Sequence, residues 1–171
     1  MKKTSMFAIA AVISLMAIPA VGAEKDEAKE EADLAKGMKA AKVSLQQGLS
    51  ASEREGTPIS AKYELEEGKL QLSVYTMKGD KFSEVIVDHK TGKVAKAEPI
   101  TSGDDLTAAK AQKETMADAK VSLGAAADRA VKENKGYRAI SITPATKDGH
   151  PYADVTLVKG DEFKKVWEKL N

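Results

Sequence analysis

Residues 38–45 read MKAAKVSL and residues 116–123 read MADAKVSL, so the chain contains one short motif twice. A second repeated motif reads KGDKF at residues 78–82 and KGDEF at residues 159–163. The offset is 78 residues for the first motif and 81 for the second, which leaves about three inserted residues between two similar copies. We therefore predict that the body of the chain is a tandem duplication.

The N-terminal segment differs from both copies. Two lysines precede an apolar run at residues 6–20, and small residues before Glu24 suit cleavage by signal peptidase at that point. An uncleaved membrane anchor is the alternative, but about 15 apolar residues are fewer than the roughly 20 that span a bilayer. We therefore predict a signal peptide at residues 1–23, no stable membrane anchor after cleavage, and a periplasmic or secreted product.

Charge and cysteine content exclude several classes of function. Removal of residues 1–23 leaves 25 basic against 26 acidic residues, and this balance predicts no nucleic-acid partner. The chain has no cysteine, which excludes disulfides, thiolate metal ligands and a lipidated cysteine at the cleavage point. The remaining chain is long enough for two small domains that stabilise each other by packing.

Each copy begins with helical segments. Residues 24–42 and 104–120 are rich in Ala, Glu and Lys, with apolar residues at helical spacing. A second helix is predicted to follow in each copy. Ser44 lies three residues before Gln47 and matches the capping-box pattern at a helix N-terminus, and Ser122 occupies the corresponding place in copy two.

The rest of each copy alternates between apolar and polar residues, which is typical of half-buried strands. In copy one the first strand presents one apolar face, formed by Ile59, Ala61, Tyr63 and Leu65. Turns containing glycine separate it from further strands, and copy two repeats the pattern as far as Trp167. We predict an α+β fold of two tandem repeats, each a helix packed on an antiparallel meander of three to four strands.

Copy one also carries a fixed series of short motifs. They read VSL at 43–45, SAKYELEE at 60–67, LSVY at 72–75 and EVIVDHKTGKV at 84–94. This series resembles the PepSY domain family. The most specific part is Val-Asp-x-x-Thr-Gly-Lys-Val, because an aspartate after one strand and a Thr-Gly turn before the next define a tight hairpin.

The resemblance covers residues 41–98 well and residues 119–170 more loosely. Nothing after Trp167 supplies the Asp-x-x-Thr-Gly-Lys-Val hairpin, so we expect the second sheet to lack a strand or to borrow one from copy one or from a partner.

The expected domains follow from these matches. They are the signal peptide at 1–23, a first repeat with an N-terminal helical extension at 24–98, a linker at 99–103 and a C-terminally truncated second repeat at 104–171.

PepSY domains occur in propeptides of secreted metallopeptidases and in bacterial envelope proteins, where a role in restraining peptidases has been proposed. The resemblance therefore implies a non-enzymatic protein-binding module whose protein partner is a peptidase of the cell envelope. The alternative is a structural or self-associating envelope protein that has no peptidase partner.

The residues themselves also indicate no enzyme. The two histidines, His89 and His150, lie beside Asp88 and Asp148 without the third ligand or the helical spacing of a zinc site. Helix capping accounts for the serines at 44 and 122, which lack a nucleophile elbow. We predict no catalytic, cofactor-binding or metal-binding residues.

Four residues are candidates for a protein interface. Trp167 lies near a strand edge that we expect to be unpaired, where an exposed tryptophan anchors an interface, although burial in the core is the alternative. Phe163 belongs to the same predicted strand. Tyr75 and Met77 alternate with the apolar positions of their strand, so they indicate a sheet face that meets the other copy or a partner.

Overall fold

The computed structural model describes residues 23–171, and within them the chain forms four helices and seven strands. The first six elements are α1 (Ala23–Met38), α2 (Leu45–Ser52), β1 (Thr57–Glu66), β2 (Lys69–Lys78), β3 (Lys81–Val87) and β4 (Val94–Ile100). The other five are α3 (Gly103–Ala117), α4 (Leu123–Glu133), β5 (Arg138–Lys147), β6 (His150–Lys159) and β7 (Glu162–Lys169). The predicted signal peptide lies outside the described residues, apart from its last residue, Ala23. No helix in the described range is long and apolar enough to span a membrane.

The strands of the described region form one antiparallel sheet with the order β4-β3-β2-β1-β5-β6-β7. Strand β1 lies at the centre, where it pairs with β2 on one side and with β5 on the other. The β1–β5 pairing consists of Ala61 opposite Ile142 and Lys62 opposite Ser141. The predicted α+β class is therefore confirmed, but the sheet is larger than the three to four strands we predicted, because β5 continues it beyond β1.

One side of the sheet, which we call the core face, carries the main hydrophobic core. Helices α1, α2 and α4 cover this face, and the buried side chains of α2 and α4 are mostly leucine and alanine. The opposing strand residues include Leu72, Val74, Val85, Ile142 and Val155, each of which is fully buried. Small alanines on α4 allow its backbone to lie close to the strands, which gives dense packing from short side chains.

Among residues 23–171, α3 is the one helix that covers the opposite side of the sheet, which we call the α3 face. Ala109 of α3 packs on Tyr75 and Phe82 in a second, smaller core. Polar contacts fix the helix on this face, since the Ser60 hydroxyl donates to Oε1 of Gln112 at 2.9 Å in a buried position. The chain thus has two antiparallel meanders, β1–β4 and β5–β7, which pair through β1 and β5. Contacts of α3 on this face hold the meanders together in addition to that strand pairing.

A bulge in β1 changes the predicted alternation of its side chains. The register between β1 and β2 shifts between Pro58 and Ser60, so Ile59 is the extra residue. Ile59 packs in the core under α3, whereas Ala61 and Tyr63 lie in the main core. The prediction that these three residues share one face is therefore wrong for Ile59, because a bulge re-aims the residue that it adds.

The local signals in the sequence correspond to observed structure. Ser44 accepts a hydrogen bond from the Gln47 backbone N–H at 3.1 Å, and the Gln47 side chain accepts one from the Ser44 N–H at 2.8 Å. The predicted capping box is thus confirmed. Ser122 accepts from the Ala125 N–H in the same way. The Asp88 carboxylate accepts from the Thr91 N–H at 2.7 Å and from the Thr91 hydroxyl at 2.9 Å, which forms the predicted β3–β4 hairpin.

The linker between the two meanders is shorter than the five residues that we predicted at 99–103. Pro99 and Ile100 are the last residues of β4, where they pair with Ser83 and Phe82. Helix α3 begins at Gly103 after only two intervening residues, Thr101 and Ser102.

Candidate interaction edge at strand β7

Strand β7 is one edge of the sheet. It pairs with β6 along its whole length, from Glu162 opposite Lys159 to Lys169 opposite Tyr152. Within residues 23–171 no strand pairs with its other side. Backbone N–H and C=O groups on that side are therefore available to an added strand, except the Lys169 carbonyl, which accepts a hydrogen bond from Arg129.

Contacts with α4 and with the preceding loop hold β7 in place. The Arg129 guanidinium donates to the Glu168 carboxylate and, at 2.7 Å, to the Lys169 carbonyl. Just after the strand, Leu170 is fully buried and its carbonyl accepts from the Val121 N–H at 2.9 Å. The C-terminal end of the edge is thus held in place before a partner binds, because the Glu168 side chain, the Lys169 carbonyl and Leu170 are all anchored.

Trp167 is the large hydrophobic side chain that the described structure leaves exposed, with 47% of its surface accessible. Its ring meets Tyr152 edge to face, with ring centroids 6.4 Å apart, and the Lys147 ammonium lies 5.5 Å from the centre of the ring. The register places Trp167 opposite Asp154, on the α3 face. Of the two alternatives for this residue, the structure therefore places it at the surface.

Sequence reasoning missed Tyr152 and Lys147 as neighbours of Trp167. The alternation of β6 offered a signal, since Tyr152 stands on the opposite parity to the buried Ala153 and Val155. Lys147 carried no signal of its own, because its approach to the ring depends on the register of β5, β6 and β7 together.

Asp154 lies next to this aromatic pair and has an unusual environment. Its Oδ1 atom is buried and has no hydrogen-bond partner. Burial raises the pKa of Asp154, and the nearby charge of Lys165 offsets part of that shift. A buried acceptor without a hydrogen bond lowers the free energy of unfolding. Beside Trp167 there is therefore a carboxylate oxygen that could still accept a hydrogen bond.

The other candidate interface residues are distributed over two places. Phe163, on β7, is half-buried against the main core. Tyr75 is 1% exposed, and its hydroxyl donates to Oδ1 of Asp105 in α3 at 2.8 Å. Met77 is half-buried beside it. The face marked by Tyr75 and Met77 therefore meets α3 of the same chain, whereas Phe163 and Trp167 belong to the open edge.

A group of carboxylates surrounds Tyr75 on the α3 face. Glu64 accepts from the Ser73 hydroxyl at 2.7 Å and pairs with the Lys62 ammonium at 2.7 Å. Burial, together with the charges of Glu64 and Asp105, raises the pKa of Glu84 to about 7. The carboxyl group of Glu84 therefore titrates near neutral pH.

His89 lies in the turn between β3 and β4, as expected from the sequence, whereas His150 is the first residue of β6, directly after the Asp148-Gly149 turn. His89 lines an open groove of about 960 Å³ between α1 and the β1–β2 turn, and its carbonyl accepts from the Val43 N–H at 3.0 Å. His150 contacts the Asn171 side chain at 3.3 Å. In the part of the chain that the structure describes, no three His, Cys, Asp or Glu residues are grouped so that they could hold a metal ion.

Comparison of the chain with protein-family models, with curated proteins and with solved structures finds no match.

Proposed function

We propose that this protein is a non-enzymatic, exported protein-binding module of PepSY type that restrains a peptidase in the cell envelope. The signal-peptide pattern at residues 1–23 supports export, and the motif series at 43–94 supports the family assignment. Binding to the partner takes place at the open edge of β7.

We also propose that the two meanders are copies of one ancestral unit. Supporting this, the His89 carbonyl accepts from the Lys42 and Val43 N–H groups, and the Leu170 carbonyl accepts from Lys120 and Val121. The two carbonyls are 81 residues apart, the same offset as the repeated KGD motif. Strand β4 has no counterpart in the described part of the second half, which leaves β7 open where β3 is covered.

The open β7 edge is the observation that carries the binding proposal. An extended peptide that adds to a sheet edge gains main-chain hydrogen bonds, and its alternate side chains contact the residues beside the edge. Trp167 stands there with nearly half of its surface exposed. Tryptophan is among the residues that most often dominate the free energy of binding at protein interfaces.

The roles of two serines support the non-enzymatic part of the proposal. These serines would be the candidate nucleophiles if the protein were a hydrolase. The Ser44 and Ser122 hydroxyl groups both accept hydrogen bonds from backbone N–H groups at helix starts. A serine in that role stabilises the helix by about 1 kcal/mol, which is a sufficient reason for its presence.

A pull-down with matched edge variants tests the proposal. The bait is the chain from Glu24, incubated with an envelope extract of its own source, and bound proteins are identified by mass spectrometry. Lys165→Pro and Val166→Pro are compared, because in an antiparallel strand adjacent residues direct their N–H groups to opposite sides. The variant that keeps its thermal unfolding temperature has lost only an outward-facing N–H group.

We expect the wild-type chain to capture a peptidase in a saturable manner and to lower its activity, and the stable proline variant to lose both effects. Equal capture by the stable proline variant would place the interface away from β7. Capture without any peptidase would contradict the proposed restraint.

A second candidate function is self-association through the same edge. In an antiparallel β7–β7 pair centred on Val166, Lys165 of each copy lies opposite Trp167 of the other, which allows a cation–π contact across the new interface. Sedimentation over a range of concentrations tests this function. Trp167→Ala should abolish the dimer, whereas a wild-type monomer at high concentration rejects self-association.

A further inference from the structure

The side chains of β7 on the α3 face form a row. Lys165, Trp167 and Lys169 stand at alternate positions, opposite Thr156, Asp154 and Tyr152 of β6. Because the side chains of a strand alternate between faces, the three residues point to the same side of the sheet. The open edge is therefore bordered, on this face, by a basic, an aromatic and a second basic residue.

The aromatic residue in the row is held in position. Tyr152 meets the Trp167 ring at an interplanar angle of 79°, and Lys147 lies over that ring. Two neighbours thus restrict the indole while nearly half of it remains exposed. A side chain that is ordered before binding loses little conformational entropy when a partner packs on it.

The charge of the edge is predominantly positive. Glu168 is buried and paired with Arg129, so it contributes little negative potential at the surface. Lys164, Lys165 and Lys169 are exposed along the strand. Lysines at an edge disfavour pairing with neutral or basic strands, and they attract a strand that brings carboxylates.

We infer that the β7 edge selects an extended acidic peptide, in which an apolar residue is flanked at two-residue spacing by glutamate or aspartate. This inference rests on the proposed strand addition and specifies its ligand. The two carboxylates pair with Lys165 and Lys169, and the apolar side chain between them packs on Trp167. A second copy of the chain fits less well, because it brings three more lysines to the same edge.

Synthetic peptides test the selection. The probe carries glutamate, valine and glutamate at alternate positions with threonine between them, and two matched peptides replace both glutamates by glutamine or by lysine. Trp167 is the one tryptophan of the chain, so the fluorescence of the full-length protein reports on the site directly. We expect the glutamate peptide to shift the emission and to bind about five- to tenfold more tightly than the glutamine peptide.

Charge reversal in the protein provides the matched control. The double variant Lys165→Glu with Lys169→Glu should prefer the lysine peptide. Lys93→Glu with Lys96→Glu changes the net charge equally near the β4 edge, and it should keep the preference of the wild-type protein for glutamate.

Three outcomes distinguish failure of this inference from failure of strand addition. Equal binding of the glutamate and glutamine peptides overturns the acidic selection and leaves strand addition standing. Unchanged binding after N-methylation of the peptide backbone overturns strand addition, because methylation removes the main-chain donors. A wild-type dimer that no peptide displaces assigns the edge to a second copy and overturns both.

Discussion

The Tyr75 hydroxyl donates a 2.8 Å hydrogen bond to Oδ1 of Asp105, which connects the middle of β2 to the first turn of α3. Burial of the phenol and the adjacent Asp105 carboxylate raise the pKa of Tyr75 well above its usual range. The hydroxyl therefore remains protonated, and a hydrogen-bond donor, around neutral pH. This contact lies between the two halves of the chain, so it contributes to their cohesion.

Replacement of Tyr75 by phenylalanine should lower the free energy of unfolding by about 1–2 kcal/mol, because it leaves a charged acceptor without its donor. Urea denaturation of the single variant and of Asp105→Asn measures the loss. The double variant should lose less stability than the two single variants lose in sum, since both single changes remove the same bond. Strictly additive losses would show that the two side chains do not interact.

Glu84 should make stability depend on pH between about 5 and 7. Its pKa is raised from 4.5 to about 7 in the folded protein, so the folded state binds more protons than the unfolded state over that interval. The free energy of unfolding therefore falls as the pH rises from about 5 to 7. Above that range Glu84 is ionised in both states and adds no further pH dependence.

The variant Glu84→Gln should remove this dependence. We expect it to be about 1–2 kcal/mol more stable than the wild type at pH 8 and to differ little at pH 5. Thermal unfolding at the two pH values measures the difference. Glu98→Gln is the matched control, because Glu98 is the exposed cross-strand neighbour of Glu84 and should have little effect at either pH.

Two helix glycines should respond in opposite directions to alanine. A Cβ atom at Gly48 would lie 2.4 Å from Cδ2 of the buried Leu72, so Gly48→Ala should destabilise the protein by about 1–3 kcal/mol. A Cβ atom at Gly124 would lie 4.0 Å from the Ser122 hydroxyl oxygen, its nearest neighbour apart from the helix backbone and the adjacent residues. There alanine should be neutral or stabilise the helix by up to about 1 kcal/mol. Chemical denaturation of both variants checks the contrast, and equal effects would contradict it.

Loss of Arg129 should loosen β7. The change Arg129→Leu keeps the aliphatic bulk but leaves the Glu168 carboxylate, which is 7% exposed, without its partner. We expect a loss of about 1–3 kcal/mol and faster amide hydrogen exchange in β7. The double variant Arg129→Leu with Glu168→Gln should recover part of the stability. Unchanged exchange in β7 would show that the strand does not depend on this pair.

Local features of this structure could be predicted from sequence because their causes are local. The Ser44 cap, the Thr91-Gly92 turn and the alternation in β2 and β6 each depend on residues within a few positions of one another. The α+β class follows from the order of these elements.

The arrangement of the elements could not be predicted in the same way. Pairing of β1 with β5 joins residues that are 79 and 81 apart in sequence, and nothing within either strand specifies the other as its neighbour. The position of α3 on the opposite face depends on contacts such as Ser60 with Gln112, which join residues 52 apart in sequence. For the same reason Trp167 was identified from its strand, while its aromatic partner was not.

The β1–β5 seam is the shortest pairing in the sheet, with two residue pairs against at least six in each of the others. The line of lowest mechanical resistance therefore runs through the middle of the molecule and not along its edges. A load applied between the two halves is carried by side chains that cross the seam, chiefly those of α3, α2 and α4. If a partner binds at β7 as proposed, a pull on that partner should move β5–β7 relative to β2–β4 and leave the order of the strands within each part unchanged.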